Sequence, residues 1–248
     1  MQVYVTKDYE AMSRRAAAVI AAQVIADPHS LLGLATGSTP VGLYKNLIAG
    51  CQAGDLDFSQ VTTVNLDEYA GLDGTHDQSY RYFMNTNLFD HINIDKANTN
   101  VPNGKAPDPE AECVRYEELL RKLGPADIQL LGMGRNGHIG FNEPCGEFIA
   151  PTHVVELTDS TIDANARFFA SRDLVPKKAL TMGVGAIMRA KRVLVVVSGP
   201  DKAEAVKAAF AGPITPQVPA SILQLHPDVV LVGDQAALAG LLEAGAEA

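Results

Sequence analysis

Residues 127–144, DIQLLGMGRNGHIGFNEP, constrain this chain more than any other stretch. Residues 128–133 are a short apolar run without helical period, the pattern of a strand buried on both faces. The run leads into Gly132, Gly134, Gly137 and Gly140, so the backbone there must turn sharply or lie close to another group. Set among those glycines are Asn136, His138, Asn142 and Glu143, four side chains that can hydrogen-bond. A strand buried on both faces belongs inside a parallel sheet, and the loop leaving it is where an open α/β sheet keeps its site. A glycine-rich turn with a solvated histidine would also carry these letters.

The rest of the pattern supplies such a sheet. Strands are expected at residues 2–5 (an edge), 31–35, 61–66, 153–157, 192–197 and 229–232. Helices are expected at 9–26 with Asp8 as N-cap, at 41–48 with Pro40 in the first turn, and at 78–90 and 110–123. Further helices are expected at 159–169, 201–210 and 235–243, and irregular connections at 102–109 and 211–219. Strands alternating with helices predict an α/β fold with a mostly parallel central sheet and helices on both faces. At 248 residues, a single domain over 1–248 is enough.

Net charge of −9 argues against nucleic acid as the partner, because phosphate backbones call for a basic face. It leaves room for a small phosphorylated molecule held by local cations and backbone amides. Apolar runs such as 193–197 are too short to cross a bilayer, so no membrane partner is expected. The N-terminus has no basic segment followed by an apolar one, and a cytoplasmic protein is expected. Cys51, Cys113 and Cys145 make neither a disulfide framework nor a C-x-x-C site. Cys145 reads as a small space-filling residue.

Four pieces carry chemistry. In LATGSTP, a strand runs into Thr36-Gly37-Ser38-Thr39 and then a helix, which gathers free amides, hydroxyls and a helix dipole suited to a phosphate monoester. An ordinary capped helix start would look the same. In VNLDEYAGL, Asp67 follows an apolar strand, so it should stand at the carboxyl end of the sheet, where partial burial raises a carboxyl pKa toward that of a useful base. A lone Asp there also serves as a cap. Glu68 would add like-charge repulsion if it pointed the same way. In the central loop, Glu143 within reach of His138 would favour the imidazolium and fix the ring, giving a pair able to move a proton onto and off an oxygen. Finally, Arg167 and Lys202 follow positions from which a parallel sheet would deliver them to the rim of Ser38 and Asp67. The His-x-x-x-His type of spacing is missing, and no metal is expected.

Taken together, LATGSTPVGLY, NLDEYAGL, GRNGHIGFNEP, NARFF, ALTMGVGAIM and LQLHP occur in an order that resembles the glucosamine-6-phosphate deaminase family over almost the whole chain. The resemblance implies a Rossmann-like three-layer sandwich and the conversion of glucosamine 6-phosphate and water to fructose 6-phosphate and ammonium. It implies that Asp67 is the base at C2, that His138 carries the ring-opening proton with Glu143 and Asn136 in support, and that Thr36, Gly37, Ser38, Thr39, Arg167 and Lys202 hold the phosphate. No cofactor is implied, and a homo-oligomer stays open. Some members carry Asp at the position of Asn136; Asn cannot titrate, so proton traffic here should rest on His138 and Glu143. Allosteric members have basic residues soon after the NEP turn, where this chain has His153 and Val155, and the expectation is that it lacks that activation. A 6-phosphogluconolactonase and a sugar-phosphate-sensing domain of a transcription regulator are the competing readings.

Overall fold

The computed structural model describes residues 1–157, 159, 162, 163, 166, 169 and 171–245. Among them the strands are β1 (Gln2–Thr6), β2 (Leu31–Leu34), β3 (Thr62–Asn65), β4 (Asp67–Tyr69), β5 (Thr99–Asn100), β6 (Ile128–Leu131), β7 (His153–Glu156), β8 (Lys178–Thr181), β9 (Arg192–Val197) and β10 (Val229–Asp234). The helices are α1 (Tyr9–Ala26), α2 (Val41–Ala53), α3 (Tyr80–Asn87), α4 (Pro109–Leu123), α5 (Val184–Arg189), α6 (Ala203–Ala211) and α7 (Gln235–Glu243). Seven strands form one sheet in the order β1-β10-β9-β6-β2-β3-β5, with every pairing parallel. Its middle strands are near-continuous runs of Val and Leu, because a parallel sheet covered on both faces offers no polar side. In α1 the buried stripe Met12, Ala16, Ile20 and Val24 recurs at helical spacing, and Asp8 caps its start by accepting from the Ala11 amide at 2.8 Å.

Strand order locates the site. From β2 the chain moves out to β3 and β5, then returns to β6 on the other side of β2 and continues to β9 and β10. The loops after β2 and β6 therefore diverge, and a crevice opens between them at the carboxyl ends of the strands. Those loops are the TGST and GRNGH segments.

The expected strand at 61–66 needs a correction at its end. At Leu66 the amide still donates to the Leu34 carbonyl of the large sheet, but the Leu66 carbonyl accepts from Met182. The chain crosses there into a second, antiparallel sheet ordered β4-β8-β7. Asp67 thus opens a strand of that small sheet rather than closing one of the large sheet. Nothing in the sequence reading anticipated β8 or α5, whose four and six residues are too short to show a period. The helix expected at 41–48 runs on to Ala53 and stops at Gly54, whose φ of 83° suits glycine. The helix expected at 78–90 is confined to α3, with Ser79 as its cap, and the one expected at 201–210 starts only at Ala203, after a 3₁₀ turn. The helix expected at 159–169 falls largely outside the described residues. No helix among the described residues is long and apolar enough to cross a membrane.

Leu194 is fully buried in β9, between β6 and β10. Leu194→Ala is expected to lower stability by about 2–5 kcal/mol in urea unfolding, as for a cavity in a close-packed core.

Candidate active site

The loop after β6 folds back on itself. The Gly134 amide donates to the His138 carbonyl at 2.9 Å, and the Gly137 amide donates to Gly134 at 3.0 Å. A Cβ at Gly134 would stand 2.2 Å from the His138 ring, so the imidazole lies directly on this backbone and only glycine fits. Gly137 turns with φ of 81°, and its carbonyl accepts from the Ala220 amide at 2.8 Å, which ties the loop to the 3₁₀ segment Pro219–Leu225.

The four polar side chains do not act alike. Asn136 donates from Nδ2 to Glu143 Oε2 at 2.7 Å, and its Oδ1 accepts from the His138 amide at 3.2 Å. His138 Nδ1 stands 3.3 Å from Glu143 Oε1, within ion-pair range but off the line of a good hydrogen bond. Asn136 therefore braces Glu143 and the loop backbone, while Glu143 faces the imidazole. Asn142 is buried and structural: its Nδ2 donates to the carbonyls of Ile139 and Met182, each at 2.9 Å. Glu143 also borders a 290 Å³ cavity that reaches Cys145 and β7.

Asp67 meets this loop at Gly140. A Cβ there would lie 3.6 Å from Asp67 Oδ2 and 3.0 Å from Thr181 Oγ1. Asp67 and the central loop, distant in sequence, thus meet at Gly140. Asp67 is buried, and no hydrogen bond reaches its carboxylate among the described residues. Burial pushes its pKa up from 3.8 to about 8, and the neighbouring Glu68 charge pushes it the same way. The Glu68 side chain takes a different path, accepting from the amides of Tyr69, Tyr80 and Arg81 at 2.8, 2.8 and 2.9 Å, at the start of α3. Burial raises its pKa to about 7, and those three amides hold it from going further. Aromatic rings finish this wall: Tyr69 lies 4.8 Å from Tyr80, which stacks parallel to Phe141 at 6.0 Å.

The loop after β2 leaves the carboxyl end of the strand next to β6. Tyr44, fully buried on α2, donates its hydroxyl to the Ala35 carbonyl at 2.5 Å and fixes where the strand ends. Gly37 then turns with φ of 93°. Ser38 is anchored through its carbonyl by the Tyr9 hydroxyl at 3.1 Å, and the same hydroxyl accepts from the Gly42 amide at 2.8 Å in the first turn of α2. The Val41 amide donates to the Ser38 carbonyl at 3.4 Å, so the two leading amides of α2 already have acceptors. Ser38 and Thr39 line a 430 Å³ cavity together with Tyr9, Val41 and Ser198 at the end of β9. Lys202 follows on the turn after Ser198, half-buried, and desolvation holds its ammonium below the ordinary value. Arg167 lies outside the described residues.

Two contributors escaped the sequence reading. Arg135 pairs with Asp201 at 2.7 Å and so links the central loop to the Lys202 turn; its place inside GRNGH was the signal. Thr181 had no signal, because a threonine ending a four-residue strand is unremarkable in sequence.

The fold is that of an open α/β protein with a polar loop cluster at the carboxyl ends of its strands, and comparison makes the family definite. Residues 7–231 match the family model described as glucosamine-6-phosphate isomerases/6-phosphogluconolactonase, and the chain belongs to that family. It is 57% identical over 235 residues to the glucosamine-6-phosphate deaminase of Clostridium perfringens (strain 13 / Type A), covering 95% of this chain and 97% of that one. The solved structure of a monomeric glucosamine-6-phosphate deaminase superposes with a TM-score of 0.94 at 50% identity, covering 97% of this chain and 100% of that one. The 6-phosphogluconolactonase of Trypanosoma cruzi shares the fold at a TM-score of 0.79 and 18% identity, over 97% of this chain and 96% of that one.

Because Asp67 titrates near 8 in the folded chain and near 3.8 when unfolded, the folded acid keeps a proton that the unfolded chain has already released. Stability must fall as pH rises through that window and level off above it. Asp67→Asn is therefore expected to melt higher than the parent at pH 8.5, about level with it at pH 4, with the gap opening between. A gap in melting temperature that stays constant with pH would contradict the assignment.

Proposed function

We propose that this chain catalyses the conversion of glucosamine 6-phosphate and water to fructose 6-phosphate and ammonium. The observation that carries the reading is the meeting at Gly140: a buried carboxylate with a raised pKa stands against the loop that holds an imidazole and its carboxylate partner. The high identity to named deaminases supports the same chemistry.

In this reading the phosphate sits on Thr36, Gly37, Ser38 and Thr39 with Lys202 beside it, and Arg167 joins them on family resemblance alone. An anion there would oppose the desolvation that lowers the pKa of the Lys202 ammonium. Anchoring at C6 leaves the other end of the sugar to the Asp67–His138 crevice. His138, oriented by Glu143 and the backing of Asn136, moves the proton that opens the ring at O5. Asp67 then takes the proton from C2 of the open chain and returns it to C1. The product carries an imine at C2, which water hydrolyses to the ketose and ammonium. A cationic substrate amine next to Asp67 favours its ionised form, so the raised pKa of the empty site is compatible with a base. Remote phosphate binding supplies orientation, a large part of the rate in such reactions. A cytoplasmic setting and a soluble sugar phosphate as the small-molecule partner belong to this reading, with a homo-oligomer left open.

Neither a lactonase nor a sensor needs a buried carboxylate base, and ammonium release from glucosamine 6-phosphate separates all three. With Asp67 as base, kcat/KM should climb with pH toward about 8, where the free enzyme loses that proton. Asp67→Asn should abolish exchange of the C2 proton with solvent while sugar phosphate binding survives; retained exchange would move the base elsewhere. Lys202→Ala should raise KM for the phosphorylated sugar by about 10-fold or more, the loss of one charge-assisted contact. An unchanged KM would remove Lys202 from the phosphate site.

A further inference from the structure

Thr181 is fully buried and takes no part in the proton transfers above. It stands directly opposite Asp67 in the antiparallel β4–β8 ladder, so both side chains leave the same face of the small sheet. Its Oγ1 accepts from the Phe141 amide at 3.0 Å, between His138 and Glu143 in the loop. A Cβ at Gly140 would lie 3.0 Å from that oxygen and 3.6 Å from Asp67 Oδ2. The next residue of the chain continues the grip, since the Met182 carbonyl accepts from Asn142 Nδ2 at 2.9 Å and the Met182 amide donates to Leu66 at 2.7 Å. The end of β8 thus holds the loop with one hand and the Asp67 strand with the other.

We infer that Thr181 is a positioning residue, whose hydroxyl sets the register of loop 138–143 against the strand carrying Asp67. Two halves of the site arrive from different sheets, and this hydroxyl is a direct bond from the side of Asp67 to the loop main chain. A threonine that merely satisfied a buried amide would affect stability alone. A positioning threonine also governs the distance between base and proton carrier, which acts on the chemical step and leaves phosphate anchoring untouched.

The kinetic side of this inference rests on the deaminase reading; the structural side does not. In Thr181→Val, amide hydrogen exchange over residues 138–143 should accelerate, kcat should fall about 10- to 100-fold, and KM should stay within about twofold. Thr181→Ser, which keeps the hydroxyl, should restore exchange protection and kcat together. If the valine variant does not fold, Thr181→Ala is read in its place. Unchanged protection of the loop in the hydroxyl-less variant, or a kcat loss that Thr181→Ser shares, would overturn the inference. Should the parent protein release no ammonium, the deaminase reading falls and the kinetic side of the inference with it, while loop exchange that stays unchanged in the hydroxyl-less variant would still overturn the structural side.

Discussion

A carboxylate taken out of water with no hydrogen bond from the described residues is the constraint to which the rest of this structure answers. Desolvation of such a group is costly, and it is tolerated here by holding a proton. Its surroundings are the tyrosines of four elements, Tyr44 on α2, Tyr69 on β4, Tyr80 on α3 and Tyr116 on α4, each of which feels its charge. Tyr44 and Tyr116 spend their hydroxyls on main-chain carbonyls, of Ala35 and Asn65. They wall the site without satisfying the acid. Glu68, the adjacent carboxylate, is treated in the opposite way, with three amides converging on it. One acid is stabilised and one is left poised, a division that perturbed groups at functional sites commonly show.

Such a poised group is useful only if its partner is held at a fixed distance, and the two come from different sheets. The large sheet supplies the crevice because its strand order reverses between β2 and β6. The small sheet supplies Asp67, since the chain changes sheets at Leu66. Glycine makes the junction feasible: His138 rests on Gly134, and Gly140 lets the loop pass close to both Asp67 and Thr181. Charge is handled just as locally. A chain of net charge −9 keeps Lys202 half-buried on one turn and pins that turn to the central loop through Arg135 and Asp201. Long-range repulsion of an anionic substrate is screened by salt, whereas short contacts in the turn after β2 are not.

Much of this was legible in the letters. Short valine-rich runs predict buried strands because β-branched side chains suit a sheet covered on both faces, and β9 and β10 formed where expected. Asp8 and Ala26 bound α1 as the capping rule and the Ala-rich composition predict. The pairing of His138 with Glu143 was expected too, and the turn closed by the Asn142 amide on the Ile139 carbonyl is what brings them together. By contrast β8 was invisible. Its KALT segment has neither alternation nor length, and it becomes a strand only because Asp67–Tyr69 and His153–Glu156 bracket it.

The sequence by itself determined the class of fold, the two loops at the carboxyl ends of the strands and the chemical kinds of group they carry, because these follow from local periodicity and side-chain chemistry. Only the tertiary structure decided that Asp67 belongs to a second sheet, that Glu68 turns away to α3, and that a threonine from β8 clasps the loop beside both. Each of those depends on which distant backbone groups find one another. Hydrogen bonding across a hundred residues of chain leaves no mark on either end of the pair.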